Sequence, residues 1–411
     1  MSIAAYPKYE SYKDTSIKWS PEIPQHWGIM PLKFMARMKS GDTITAEQFT
    51  SDGFPVYGGN GFRGFTDRKT HTGKFVLIGR QGALCGNVNY AHDDFFATEH
   101  AIVVSPKRPI ETIWLGEAIR CAGFNQLSQS AAQPGISTEV IGNQRFPFPP
   151  LPEQRAIAAF LDNKCAKIDQ AVRIKEAQIK LLRERRQILI QQAVTRGLNP
   201  DAPMKDSGID WIGKIPAHWK VWRSKFLFKQ SKELARKNDI QLSATQSFGV
   251  ISQEKFESLV GRRVVKISTN LDKRKHVELN DFVISMRSFQ GGLERAYSTG
   301  CIRSSYVILR PAPEVNPDFF GYLLKTPRYI HALQITGNFI RDGQDLTFEN
   351  FADVDLYVPP YQEQAEIADH IKHSCDRIDD AIKIKQNQIA KLKEYKTTLI
   401  NAAVTGKIKV S

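Results

Sequence analysis

Two strings place arginine beside amide side chains directly after an apolar run. One is Gly79-Arg80-Gln81-Gly82-Ala83, and the other is Met286-Arg287-Ser288-Phe289-Gln290-Gly291-Gly292. An arginine fork can donate two hydrogen bonds to a guanine edge or a phosphate, and glutamine can pair with adenine. Arg80, Gln81, Arg287, Ser288 and Gln290 are therefore candidate nucleic-acid contacts. The plain alternative is a turn with a solvated arginine. Arg63 lies in Tyr57-Gly58-Gly59-Asn60-Gly61-Phe62-Arg63-Gly64, whose glycines permit tight turns and close backbone approach. Two later stretches add Gln126, Gln129 and Gln133 (QLSQSAAQPGIS) and Arg341 and Gln344 (NFIRDGQDLT). They either touch bases or only join a helix to a strand.

Catalytic groupings are missing from the sequence. Val358-Pro359-Pro360-Tyr361 resembles a tetrapeptide of adenine methyltransferases, but that motif begins with Asn or Asp, and valine cannot hold an amino group. Its counterpart at 148–151 is Phe-Pro-Pro-Leu. Both suit a stiff approach to a helix. No phosphate-binding GxxxxGK[ST] occurs. Five scattered cysteines without a CxxC pair point to a reducing compartment, with no disulfide frame and no zinc site.

The elements that carry the candidate loops are written twice. KDTSIKWSPEIPQHW (13–27) recurs as KDSGIDWIGKIPAHW (205–219). The string PPLPEQRAIAAFLDNKCAKIDQAVRIKEAQIKLL from Pro149 recurs from Pro359 as PPYQEQAEIADHIKHSCDRIDDAIKIKQNQIAKL. In the first long copy, Leu161, Cys165, Ile168, Val172, Lys175, Ile179, Leu182, Arg186, Leu189 and Ala193 step alternately by four and three. Ile371, Cys375, Ile378, Ile382, Lys385, Ile389, Leu392, Lys396, Leu399 and Ala403 repeat the pattern. This is a heptad seam, so each copy is expected to form a helix of about 40 residues, roughly 60 Å long. A long helix with one apolar stripe needs a mate, and the copies are each other's obvious mate. The lysines and arginine on the seam either fix register or snorkel into water. Residues 8–27, twin of the linker after the first helix, are expected near Val404. The repeat would then be cyclic. His26 and His218, beside Trp27 and Trp219, are expected to pack linker on frame.

Between the copies lie two dissimilar inserts. Each reads as strands and loops followed by one helix, at 110–127 in the first and 317–335 in the second. Strands are expected at 75–78, 101–104, 282–286 and 306–309. The expected organisation is an arm (1–27), a first module (28–148), a helix (149–197), a linker (198–219), a second module (220–358) and a second helix (359–411). The fold class is α+β, with two mixed α/β modules separated by a long antiparallel two-helix coiled coil in a pseudo-two-fold cyclic repeat.

The net charge of +14 favours polyanionic partners, although solubility alone is an alternative. The first module carries 12 basic and 10 acidic residues and the second 21 and 15, so no single basic tail holds the charge. No run reaches the ~18 apolar residues of a membrane span, and no secretory signal is evident. A cytoplasmic location without membrane association is expected.

The W…IPxHW segments at 19–27 and 211–219 and the PPxxEQ…IA strings resemble the specificity subunits of type I restriction-modification enzymes. YGGNGFRG and IGRQGA are similar to one branch of their target recognition domains. The resemblance implies a non-catalytic chain whose modules each bind half of a bipartite, asymmetric site on double-stranded DNA. It implies that the helices set the spacer. It also implies partnership with two methyltransferase subunits and two restriction/translocase subunits. S-adenosylmethionine, ATP and magnesium would bind those partners, with no cofactor in this chain. A coiled-coil scaffold for protein partners, without DNA reading, is the alternative.

Overall fold

The computed structural model describes residues 3–82, 84–127, 135–264, 271–336 and 346–410. The chain divides into two compact units, residues 1–177 with 385–411 and residues 178–384. Two long helices, Leu151–Arg196 and Tyr361–Val404, each contribute to both units. No described helix is long and apolar enough to cross a membrane.

Within each unit the two helices run antiparallel. In the first unit, Lys396 Nζ donates to both carboxylate oxygens of Asp169 at 2.7 Å, and Lys175 Nζ donates to Gln388 Oε1 at 2.7 Å. In the second unit, Arg186 lies 3.6 Å from Asp379, the residue equivalent to Asp169. Lys175, Arg186 and Lys396 therefore meet polar partners on the facing helix, and these pairs match only in one register and one direction. Leu161, Ile168, Val172, Ile179, Ile371, Ile378, Ile382 and Leu399 are buried, as the heptad pattern requires. Leu182, Leu189, Ile389 and Leu392 are half-buried.

The cyclic repeat is visible in where the arms pack. In the first unit, Ile23 and Trp27 share a core with Ala403, Val404 and Ile408, and Lys409 N donates to Pro7 O at 2.7 Å. In the second unit, Ile215 and Trp219 share a core with Ala193, Val194, Ile367 and Ile371. The arm at 8–27 thus closes on the end of the second helix as the linker closes on the end of the first.

Each module leaves and re-enters the frame through a two-stranded antiparallel neck. Gly28–Pro31 pairs with Arg145–Phe148, and Lys220–Arg223 pairs with Asp355–Val358. A one-turn helix follows each neck (Leu32–Met35 and Ser224–Leu227), and then a sheet of one shared topology. In the first module the strand order is 36–40, 101–106, 75–79, 88–91. In the second it is 228–231, 307–311, 282–284, 294–295. All pairings in both sheets are antiparallel.

The expected single helices are each broken. In the first module a helix over Thr112–Cys121 stops at Gly123, whose φ is 63°, and a 3-10 turn over Phe124–Leu127 follows. In the second, Pro317–Leu323 and Pro327–Ile335 are separate helices. Pro327 cannot continue the preceding helix but suits the first turn of a new one, and the Thr326 side chain caps that turn.

The second layer differs between modules. The first has a mixed four-stranded sheet in the order 61–66, 54–58, 94–97, 71–72. The second has a hairpin, 242–245 with 249–252, then a helix over Gln253–Val260, and a separate strand pair, 275–277 with 300–302.

Candidate nucleic-acid interface

The PPxxEQ strings prove to be the fixtures that hold the modules to the frame. Glu153 accepts from Trp27 Nε1 at 3.0 Å and from Tyr9 Oη at 2.9 Å, with His26 Nε2 at 2.6 Å. Glu363 repeats this with Trp219 Nε1 at 3.1 Å and His218 Nε2 at 2.7 Å. Burial alone would raise the Glu153 pKa, but the His26, Trp27 and Tyr9 hydrogen bonds outweigh it and lower the value.

The neighbouring glutamine ties the module on. Gln154 Nε2 donates to Pro149 O at 2.9 Å, and its Oε1 accepts from Glu111 N at 3.0 Å. Glu111 in turn caps the helix that follows it. Gln364 donates to Pro359 O and Glu314 O, both at 2.9 Å, and accepts from Asn316 N at 2.8 Å, ahead of the equivalent helix. Both glutamines are fully buried.

On this support the first module brings its two glycine-rich strings together. The turn of the 54–58/61–66 hairpin lies against the loop after strand 75–79. A Cβ on Gly59 would sit 2.9 Å from the His100 carbonyl oxygen, and one on Gly79 would collide with the Gly59 carbonyl. Only glycine allows this approach. Arg80 N donates to His100 O at 2.9 Å, and Arg80 O accepts from Ile136 N at 3.0 Å. Gln81 bridges to Gly135. With the backbone pinned on both sides, the side chains of Arg80 and Gln81 are exposed, and Arg80 Nη1 reaches Ser40 Oγ at 3.2 Å. Asn87 Nδ2 donates to Asn60 Oδ1 at 3.2 Å across the same junction. Arg63 and Phe62 are exposed on the hairpin, and the Arg63 guanidinium lies 5.9 Å from the centre of the Phe49 ring. Gln126 is exposed in the 3-10 turn, next to Asn125, which backs onto Gly86 of the same loop.

In the second module the corresponding loop forms a one-turn helix, Ser288–Gly291. Arg287 and Gln290 are exposed. Ser288 is corrected as a candidate contact: it is buried, and its Oγ accepts from Ser285 N at 2.9 Å, so it shapes the turn and presents nothing to a ligand. Gly291 lies against the side chain of Gln246, in the turn of the 242–245/249–252 hairpin. Lys325 Nζ donates to Gln246 O at 2.8 Å and lies 2.6 Å from buried Glu294. Burial pushes the Glu294 carboxyl up, against the pull of Lys325. Both modules therefore seat a hairpin turn against the loop that follows the second strand of the shared sheet in chain order. Gln129, Gln133, Arg341 and Gln344 fall outside the described residues.

Asn60, Asn87, His100 and Gln246 join these faces without having been singled out in the sequence. The first sits inside the glycine-rich string and was legible there. The others depend on pairings between distant strands. Among the described residues, no group of three His, Cys, Asp or Glu is placed to hold a metal.

Residues 24–181 match the family model of the type I restriction modification DNA specificity domain. The EcoprrI specificity subunit of Escherichia coli is 39% identical over 131 residues, 31% of this chain and 33% of that protein. The match therefore spans about a third of that relative. The putative MjaX specificity subunit of Methanocaldococcus jannaschii is 22% identical over 98% of both chains. Two solved structures share the fold. One comes from work on complex assembly and conformational transition of the type I R-M system, with TM-score 0.65, 15% identity and coverage of 93% of this chain and 98% of that one. The other is the HsdS subunit of Thermoanaerobacter tengcongensis, with TM-score 0.53, 16% identity and coverage of 94% and 98%. Over these stretches the chain is similar to type I restriction-modification specificity subunits.

Proposed function

We propose that each module reads one half of a bipartite DNA site, while the repeated frame sets the distance between halves and carries two methyltransferase subunits. The observation that carries this reading is one scaffold bearing two different faces. Neck, sheet and clamp recur in both units, whereas the exposed loops do not. A shared scaffold places both faces equivalently, and dissimilar faces select dissimilar half-sites.

Contacts come from Arg63, Arg80, Gln81 and Gln126 in the first module and from Arg287 and Gln290 in the second. Arginine and glutamine supply the paired donors and acceptors that major-groove edges require. Gln129, Gln133, Arg341 and Gln344 are the further contacts expected from the sequence. The helices have 46 and 44 residues, roughly 65–70 Å, which bounds the spacer at about 20 base pairs of ~3.4 Å each. As a specificity subunit the chain is non-catalytic. S-adenosylmethionine, ATP and magnesium act in its methyltransferase and restriction/translocase partners, in a cytoplasmic complex on double-stranded DNA.

The test is salt-resolved binding of the chain with its methyltransferase partner to duplex DNA, alongside mapping of methylated adenines. A DNA reader touching six or more phosphates loses ~1,000-fold in affinity between 50 and 200 mM salt and marks a two-part motif. Salt-insensitive binding, or methylation without a two-part motif, favours the protein scaffold.

A further inference from the structure

The internal repeat serves as an alignment of the chain with itself. Most residues identical in both copies are explained by packing or by the clamps. Two pairs of exposed large apolar residues recur at equivalent positions without such an explanation. Ile174 and Ile384 are 50% and 55% exposed on the long helices. Phe34 and Phe226 are 54% and 64% exposed on the one-turn helices just beyond the necks.

The phenylalanines are the more telling pair, because they lie in inserts whose sequences are otherwise unrelated. In Leu32-Lys33-Phe34-Met35 the outer residues are buried and the middle two face outward. Ser224-Lys225-Phe226-Leu227 does the same. Each lysine lies over the ring that follows it, 5.5 Å from the Phe34 centroid and 5.4 Å from the Phe226 centroid. Lys33 Nζ also donates to Asn143 Oδ1 at 2.9 Å. One local design, an outward ring beside a cation on a braced turn, is thus built twice.

We infer that Lys33-Phe34 and Lys225-Phe226 are docking anchors, one for each copy of the same protein partner. Half-site reading would not call for identity, because the two modules face different bases. A repeated partner does call for it. The chemistry asks for an apolar pocket that takes a phenyl ring, rimmed by carboxylates that receive the lysine. Exposed aromatics of this kind dominate binding energy when a partner desolvates them. Resting on the function proposed above, the partner is the methyltransferase subunit, whose docking then extends past the helices onto the base of each module.

The test uses the full chain co-purified with its methyltransferase subunit and weighed by native mass spectrometry. Wild type is expected to carry two copies. Phe34→Ala and Phe226→Ala should each leave one copy, with affinity for the other at least ~30-fold weaker, and the double variant should retain neither. Phe34→Tyr should restore the lost copy. Because both rings are exposed, hydrogen exchange of the isolated variants should match wild type. Two copies bound by the double variant would overturn the inference. So would intact assembly with weakened, salt-dependent DNA binding, which assigns the rings to nucleic acid. A wild-type chain that binds no methyltransferase at all would instead sink the proposed function.

Discussion

The two modules share a neck and a four-stranded sheet, but they part company in the layer above. The first closes a mixed four-stranded sheet there, and the second uses a hairpin, a helix and a separate strand pair. What is common touches the frame, and what differs carries the exposed loops. A scaffold held by fixed contacts at its base tolerates wide change at its far side, because the shared sheet and clamp bury their own polar groups without help from that layer.

The clamps offer the sharpest way to strain the comparison. Glu153 receives Tyr9, Trp27 and His26, whereas Glu363 has Trp219 and His218. Removing either carboxylate strands an indole N–H of a buried tryptophan. Glu153→Ala should destabilise its unit by about 3 kcal/mol and Glu363→Ala by somewhat less. Denaturant titration followed by hydrogen exchange of each unit measures both. Equal losses would mean that Tyr9 contributes nothing.

The faces come next. Arg80→Ala should reduce methylation at sites defined by the first half-site by about tenfold and relax selectivity there. Arg287→Ala should do the same at the second. Each variant should leave the other half-site's consensus unchanged, as read from a methylation map. An effect that spreads over both halves would show that the modules are not independent readers.

The seam pairs differ in quality. Lys396 holds Asp169 with two 2.7 Å hydrogen bonds, and Arg186 stands 3.6 Å from Asp379. Both pairs are partly solvated, so Lys396→Met should change stability by at most about 1 kcal/mol and Arg186→Met by less. A larger cost for Arg186→Met would reverse the ranking.

The smallest expected contrast is in pH dependence. His71 of the first module stacks on Phe95, and burial lowers its pKa. Its contribution is complete above the unfolded value of about 6.5 and is lost as pH falls through the lowered folded value. Buried His276 of the second module has the opposite sign. Burial would lower its pKa, but Asp239 at 2.8 Å and Glu278 at 3.0 Å face its two ring nitrogens and raise it. Its contribution is complete below about 6.5 and is lost as pH rises through the raised folded value. Hydrogen exchange at pH 5 and pH 8 should show the first module protected better at the higher pH and the second at the lower. His71→Phe and His276→Asn should each flatten its own slope.

The frame was legible in the sequence because its signals are local and periodic. Heptad steps, twin tryptophans and even the seam lysines announced a helix pair and a cyclic arrangement. The two central strands of each module's sheet were visible as apolar runs. The necks were not, since Gly28 meets Phe148 across more than a hundred residues and no local pattern encodes that pairing. Gln154 and Gln364 looked like part of a helix opening, and their role depends on where Glu111 and Asn316 fall in space. Ser288 looked available because it follows an arginine in a polar loop, yet the turn folds it inward. The break at Thr326-Pro327 was readable from a capping residue ahead of proline, and the apolar spacing around it masked the signal.

The central claim is that reading resides in the inserts and repetition in the frame. Replacing residues 28–148 with a second copy of 220–358 tests it most directly, because the necks would join the same frame. Methylated adenines would then be mapped in cells carrying the altered chain and its methyltransferase. The expected motif is symmetric, with the second module's half-site appearing twice in inverted orientation and the spacer unchanged. A motif that stays asymmetric would contradict the account.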